Sequence, residues 1–210
     1  DSSDWTGKLL AFQLDNYGSL IDRDTNTIID DADALWDAGT KIPEWSSRNL
    51  YTYDSAAGTG VAFQWGSLNL TAQTALGSQD VLQYLRGDRS QEAPSGPYRR
   101  RNRLLGDIVN SDPAFVGPET YAYQTLSPEG SGYGAFLSTT KRDRKRMVYV
   151  GANDGILHGF QVCAPTDGVC SGTVSSDDGK ELLAFVPGAV INSHLASLAE
   201  ESYDHRYFVD

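Results

Sequence analysis

One stretch restricts the fold more than any other. Met147-Val-Tyr-Val-Gly-Ala-Asn-Asp-Gly-Ile-Leu-His-Gly-Phe160 is two β-rich runs joined by Asn153-Asp154-Gly155. These turn residues tolerate positive φ, so the stretch predicts a β-hairpin. A second turn, Asn16-Tyr-Gly-Ser19, sits between Leu14 and Leu20 and predicts another. Further short runs predict strands at Leu9–Leu14, Leu50–Tyr53, Val61–Trp65, Leu182–Val186 and Tyr207–Val209. The chain holds 21 Gly and 11 Tyr but a single Met among 210 residues, which favours turn-rich β-structure over a helical bundle. The expected fold class is therefore all-β, with antiparallel sheets and a few short helices.

A short pattern recurs. Gly7-Lys-Leu-Leu-Ala-Phe12 resembles Gly179-Lys-Glu-Leu-Leu-Ala-Phe185, and Gly155-Ile-Leu-His-Gly-Phe160 is a looser copy. Repetition of this kind suggests propeller blades built on one hairpin template. Helical signals are confined to Ser78–Leu85, with Ser78 as its cap, to Asn192–Glu200, and to a short segment around Tyr133–Ser138. Arg86–Asn102 contains Gly87, Pro94, Gly96 and Pro97 and reads as a surface loop with no core of its own. Both ends of the chain fall at strand-like runs, which predicts that residues 1–210 are a piece of a larger domain.

The net charge is −11, from 28 acidic and 17 basic side chains, which argues against a general phosphate-backbone interface, so nucleic acid is not an expected partner. No apolar run approaches the roughly 20 residues of a membrane span. Nine of the 17 bases lie in two groups, Arg99, Arg100, Arg101 and Arg103, then Lys141, Arg142, Arg144, Lys145 and Arg146. They either pair with the acidic remainder or face solvent; the alternative is an anionic partner such as a polysaccharide, a lipid headgroup or nucleic acid.

The acidic run from Asp22 to Asp33 carries a spacing with chemical meaning. Asp22, Asp24, Asn26 and Asp30 stand at the first, third, fifth and ninth positions of an EF-hand-like loop, Ile28 would offer its carbonyl at the seventh, and Asp33 holds the twelfth. Alternating oxygen ligands suit a hard cation, and Ca²⁺ is the expected ion. Thr27 stands where such loops place glycine, and no amphipathic helices flank the segment; the competing reading is a solvated acidic turn. Cys163 and Cys170 flank a loop containing Pro165 and Asp167-Gly168, which can bring the sulfurs together; a disulfide would indicate an oxidising compartment, and two free thiols are the alternative.

No catalytic constellation is legible. His158, His194 and His205 are scattered and form no zinc-type pair. No G-x-S-x-G elbow is present. Gly130-Ser-Gly-Tyr-Gly134 has dinucleotide-fold glycines without the preceding strand.

Three segments carry a family resemblance: Tyr84-Leu-Arg-Gly-Asp-Arg89 with Tyr98-Arg-Arg-Arg101; Leu105-Gly-Asp-Ile-Val-Asn-Ser-Asp-Pro113 with Phe115-Val-Gly117; and Met147–Phe160. Leu183-Ala-Phe-Val-Pro187 and His205-Arg-Tyr-Phe-Val-Asp210 fit the same order. The chain resembles the C-terminal β-propeller of the PilC/PilY1 family of type IV pilus tip-associated adhesins, most weakly over residues 13–45. The resemblance implies that residues 1–210 are the N-terminal portion of a modified, quinoprotein-like β-propeller. It implies export through the periplasm to the bacterial surface, and a non-enzymatic role in pilus biogenesis, in countering retraction and in adhesion. The implied partners are minor pilins at the pilus tip, a host or abiotic surface, and the rest of the same propeller. Some family members carry EF-hand-like calcium loops, which adds modest support for Asp22–Asp33. The competing functions are a quinoprotein dehydrogenase using pyrroloquinoline quinone with calcium, and a generic extracellular ligand-binding propeller.

Overall fold

The computed structural model describes residues 4–128, 130–166 and 168–210. Its centre is an open six-stranded sheet in the order β4-β3-β8-β7-β6-β5, formed by β3 (Leu50–Asp54), β4 (Thr59–Ala62), β5 (Ala114–Val116), β6 (Arg146–Ala152), β7 (Ile156–Cys163) and β8 (Glu181–Val186). Two short strands, β1 (Leu10–Ala11) and β2 (Trp36–Asp37), pair separately.

The Asn153–Gly155 hairpin forms as its turn chemistry requires. Ala152 pairs with Ile156, the Gly155 N–H donates to the Ala152 carbonyl at 3.1 Å, and Gly155 takes φ +84°. The Asn16–Ser19 turn also closes, with a single bridge between Leu14 and Leu20. The first repeat copy lies in β1, which pairs with β2 outside the main sheet, whereas the other two are adjacent strands, β7 and β8. The recurrence thus marks neighbours in one sheet rather than the same strand of successive blades.

Several expectations are corrected. The sheet is not wholly antiparallel, because β3 pairs with β8 in parallel, Leu50 opposite Ala184 and Thr52 opposite Val186. The strand expected at Leu9–Leu14 shrinks to Leu10–Ala11, and that expected at Val61–Trp65 ends at Ala62, where Trp65 opens a three-ten turn. Tyr207–Val209 is not a strand: the Phe208 N–H donates to the Asn153 side chain rather than to a neighbouring strand. Asn192–Glu200 supplies only a three-ten turn at Leu195–Ala199, after the short α4 (Gly188–Ile191). Two helices precede it in chain order with clear caps. In α1 (Leu70–Leu76) the Asn69 side chain accepts from the Ala72 N–H, and in α2 (Gln79–Arg86) the Ser78 hydroxyl accepts from Val81. The short helix expected around Tyr133–Ser138 forms as α3 (Gly130–Phe136), continued by a π-turn at Leu137–Lys141.

One face of the sheet is buried in two sections. Leu50, Ile156, Ala184 and Val186 meet Phe63, Leu76, Leu82, Tyr84, Val190 and Leu195 from the helical layer. Val150, Ala152 and Phe160 meet Trp36, Ala38 and Leu105. Each large apolar side chain removed from water here contributes about 2 kcal/mol. The other face leaves Tyr51, Tyr53, Leu157 and Leu183 exposed.

Cys163 and Cys170 are joined in a disulfide. Reducing so small a loop is expected to lower stability by about 2–3 kcal/mol. Thiol labelling of denatured, unreduced protein should detect no free cysteine, and two labelled thiols would contradict the bond.

Candidate functional site

The segment expected to be a coreless loop, Arg86–Asn102, is instead pinned by buried charges. Arg86 donates to the carbonyls of Phe63, Trp45 and Arg48. Arg101 is buried against Glu92 at 2.8 Å with its guanidinium 3.7 Å over the Tyr84 ring. Arg103 pairs with Asp37, and Arg99 lies over Tyr203. These three members of the first basic group are therefore engaged within the chain.

The segments Leu105–Pro113, Met147–Phe160 and His205–Asp210, far apart in sequence, meet in one polar junction. The Asp107 carboxylate accepts from the Asn153 side-chain amide at 2.9 Å and contacts His205 Nε2 at 2.9 Å. Asn153 in turn accepts from the Phe208 N–H at 3.1 Å. Asp210 receives three consecutive backbone N–H groups, from Val109, Asn110 and Ser111, at 2.7, 2.7 and 2.8 Å. Partial burial works against its charge, but these three donors win and hold its carboxyl below the usual range. The tail passes so near β6 that a Cβ on Gly151 would collide with the Val209 carbonyl. Trp5 stacks on His205 at 4.0 Å between ring centroids.

Behind this junction lies an ion chain whose Arg48, Glu181 and His158 are buried and whose Asp154 is partly so. Arg48 makes a two-pronged contact with Glu181, both hydrogen bonds 2.7 Å. Glu181 also contacts His158 Nδ1 at 2.7 Å, and Asp154 contacts His158 Nε2 at 3.0 Å. Asp154 then accepts from the Gly106 N–H. Burial alone would lower the His158 pKa, but Asp154 and Glu181 on its two nitrogens outweigh it and push it up to about 9. Burial would raise Glu181, but His158 and Arg48 hold it down to about 2. Both ring nitrogens are occupied and the ring is 0 % exposed, so His158 cannot exchange a proton with a substrate. A cavity of about 20 Å³, lined in part by Arg48, Gly106, Asp107 and Asp154, has room for one water.

His158, which follows the Asn153–Gly155 turn, is a structural histidine, held between Glu181 and Asp154. Its partners Arg48 and Glu181 were not singled out in the sequence, and Asp154 was read only as a turn residue.

In the acidic loop the structure gathers Asp22, Asp24 and Asp33, whose carboxylate oxygens lie within 4.8 Å of one another. The buried Asp33 accepts from the Arg23 and Asp30 N–H groups, which hold its carboxyl below the usual range. The Asn26 N–H favours the charged form of Asp24, but desolvation and the nearby Asp22 and Asp33 carboxylates leave Asp24 raised. Thr27, at the position expected to need glycine, adopts φ +72°, so the sharp turn forms without it. Asp30 is not in the gathered group; it caps the turn at Asp31–Asp33 by accepting from the Ala32 N–H. Asn26 accepts from the Ile28 N–H. The oxygen-only, multiply acidic set fits a hard cation in donor chemistry.

The comparisons with known proteins point one way. The family model described as the PilY1 beta-propeller domain matches residues 105–210, which hold all three segments of the junction. A "Type IV pilus biogenesis factor PilY1 homolog" of Xylella fastidiosa is 34% identical over 213 residues, covering 100% of the chain and 15% of the relative. "Type IV pilus biogenesis factor PilY1" of Pseudomonas aeruginosa strain PAK is 34% identical over 228 residues, covering 98% of the chain and 17% of the relative. The chain thus spans about a sixth of the length of these relatives. No solved structure matches it. With half of its residues under that family model and the matched motifs knit into one junction, the chain belongs to the PilY1 β-propeller domain family.

Proposed function

We propose that this chain is the N-terminal portion of a PilY1-type propeller, which acts in type IV pilus biogenesis and surface adhesion as a scaffold rather than an enzyme. The observation that carries the reading is the junction itself. The polar groups of the family-matched segments are spent on one another, and its buried histidine is sealed from solvent. Such an arrangement supports rigidity in place of turnover. The disulfide suits an exported protein at the cell surface, and no helix among the described residues is long and apolar enough to cross a membrane. The exposed Tyr51, Tyr53, Leu157 and Leu183 suit contact with the rest of the same propeller, since sheets bury such faces against each other. Minor pilins at the tip, and a host or abiotic surface, are the external partners in this reading.

Its test is genetic. A strain whose full-length gene lacks codons 105–210 should carry few surface pili, and deleting the retraction motor should restore them. Normal piliation in the truncated strain would reject the role. Full-length protein given pyrroloquinoline quinone, calcium and an alcohol should not reduce a redox dye; reduction would favour the dehydrogenase alternative.

Calcium at Asp22, Asp24 and Asp33, with Asn26, the Ile28 carbonyl and Asp30 completing the set on small loop shifts, is part of the proposal. A divalent ion would relieve the repulsion between the gathered carboxylates and order the loop. Calcium should raise the Tm of the folded protein, and Asp24→Ala should abolish the rise. No heat of binding at millimolar calcium would reduce the segment to an acidic turn.

A further inference from the structure

The second basic group is built differently from the first. Between β5 and β6 the chain leaves the sheet and returns through Lys141–Arg146, five bases against the single acid Asp143 in a protein of net charge −11. Arg99, Arg101 and Arg103 turn inward to buried or half-buried partners, whereas Arg142, Arg144 and Lys145 are exposed. Arg142 lies along Asp143, at 2.8 and 2.9 Å, and Arg146 donates to the Gly168 carbonyl. The Lys141 ammonium donates to the Glu119 carbonyl and lies 5.4 Å from the centroid of the Tyr121 ring.

Beside these bases stands a ladder of aromatic rings. Tyr121 and Tyr123 are 6.0 Å apart, Tyr123 and Tyr133 5.4 Å, and Tyr133 and Phe136 6.1 Å. Tyr121 is 65 % and Tyr123 53 % exposed, so both rings offer surface to a ligand. At the foot of the ladder Pro118, Thr120, Leu137, Lys141, Arg142 and Gly168 line an open cleft of about 240 Å³. That is smaller than the roughly 300–1,000 Å³ of a drug-sized pocket and suits one small ring with an acid group.

We propose that this cleft and its tyrosine ladder bind an acidic polysaccharide. An acidic sugar unit would sit with its anionic group toward Lys141 and Arg142, and neighbouring units would lie along Tyr121 and Tyr123. Two physical features favour a sugar chain. Exposed tyrosine rings present flat amphipathic faces at low entropic cost, which suits the alternating C–H and hydroxyl surface of a sugar ring. Cations alongside supply attraction that survives partial desolvation. A lipid surface is less well served. The exposed residues of the excursion include Ser131, Ser138, Thr139 and Thr140, which interrupt any continuous apolar face that could enter a bilayer. The inference supplies a ligand for the surface contact proposed above. Its readout is binding in vitro, while piliation is scored separately, so either reading can fail without the other.

The experiment uses full-length protein and four immobilised probes: polygalacturonate, heparin, uncharged dextran and phosphatidylglycerol vesicles. Binding to polygalacturonate or heparin, weakened by salt and absent on dextran, is expected; which of the two binds tells carboxylate from sulfate recognition. The exposed pair Arg144→Glu with Lys145→Glu should weaken binding at least about tenfold. Tyr121→Ala with Tyr123→Ala, which leaves every charge in place, should also weaken it about tenfold, the equivalent of one aromatic contact. Unchanged circular dichroism and Tm in both variants would exclude unfolding as the cause. Absence of binding to either acidic polymer overturns the proposal. So does a tyrosine variant that binds as well as the parent, since the patch would then be a simple ion exchanger. Preference for the vesicles over both polymers assigns the surface to lipid and overturns it equally.

Discussion

Glu181→Ala is expected to leave the domain unable to hold its native state at room temperature, or to lower its stability by about 3–5 kcal/mol if it folds at all. Glu181 is the hinge of the buried ion chain: it takes both prongs of Arg48 and one nitrogen of His158. The Arg48 and Glu181 side chains are each 2 % exposed, so alanine would strand a guanidinium in the interior with no counter-charge. Marginal domains have only about 5–15 kcal/mol in hand. Urea denaturation of Glu181→Ala against the parent measures the loss. Glu181→Gln keeps the shape and one acceptor oxygen, and should fall between the two. A loss under about 1 kcal/mol in the alanine variant would mean that water reaches Arg48 and that the chain contributes little.

The second large effect is on pH dependence. The folded His158 pKa of about 9 lies above the ordinary 6.5, because the ring gains Asp154 and Glu181 as partners. The stabilisation from its charge is therefore fully present below about pH 6.5 and is lost as pH rises through about 9. The shift corresponds to stability on the order of 3 kcal/mol. Glu181 works in the opposite sense. Its folded pKa of about 2 lies below the ordinary 4.5, so its contribution is present above about pH 4.5 and fades as pH falls toward 2. Both describe one ion chain and are not added. Stability should be greatest between about pH 4.5 and 6.5 as far as this chain is concerned, and should decline toward pH 9. In His158→Gln the decline between pH 6.5 and 9 should flatten, with lower stability throughout. An unchanged slope would show that other groups set the alkaline limb.

The hairpin at Asn153–Gly155, the capped helix at Gln79–Arg86, the Cys163–Cys170 pairing and the family were legible in the amino-acid sequence, because each depends on residues close together. Turn residues act through their own φ and ψ, and a serine cap acts through an N–H three residues on. The gathering of Asp22, Asp24 and Asp33 was half legible: the spacing put all three in one set with Asp30, but only the folded loop diverts Asp30 to a cap and lets Thr27 take a left-handed turn. The ion chain was not legible, and Glu181 shows why. The inward side chains of β8, Ala184 and Val186, define a period of two that would turn Leu182 to the core and Glu181 away from it. A bulge in β8, where Gly159 pairs with Leu183 but Phe160 with Glu181 and Leu182 is the extra residue, shifts the register and swings Glu181 onto the buried face. Likewise nothing local tells Arg101 to lie over Tyr84 against Glu92, while Arg144, in a similar basic run, stays in solvent. Local chemistry determined the turns and caps. Which charges are taken out of water was decided by long-range packing, because a buried ion is tolerated only where another element brings its partner.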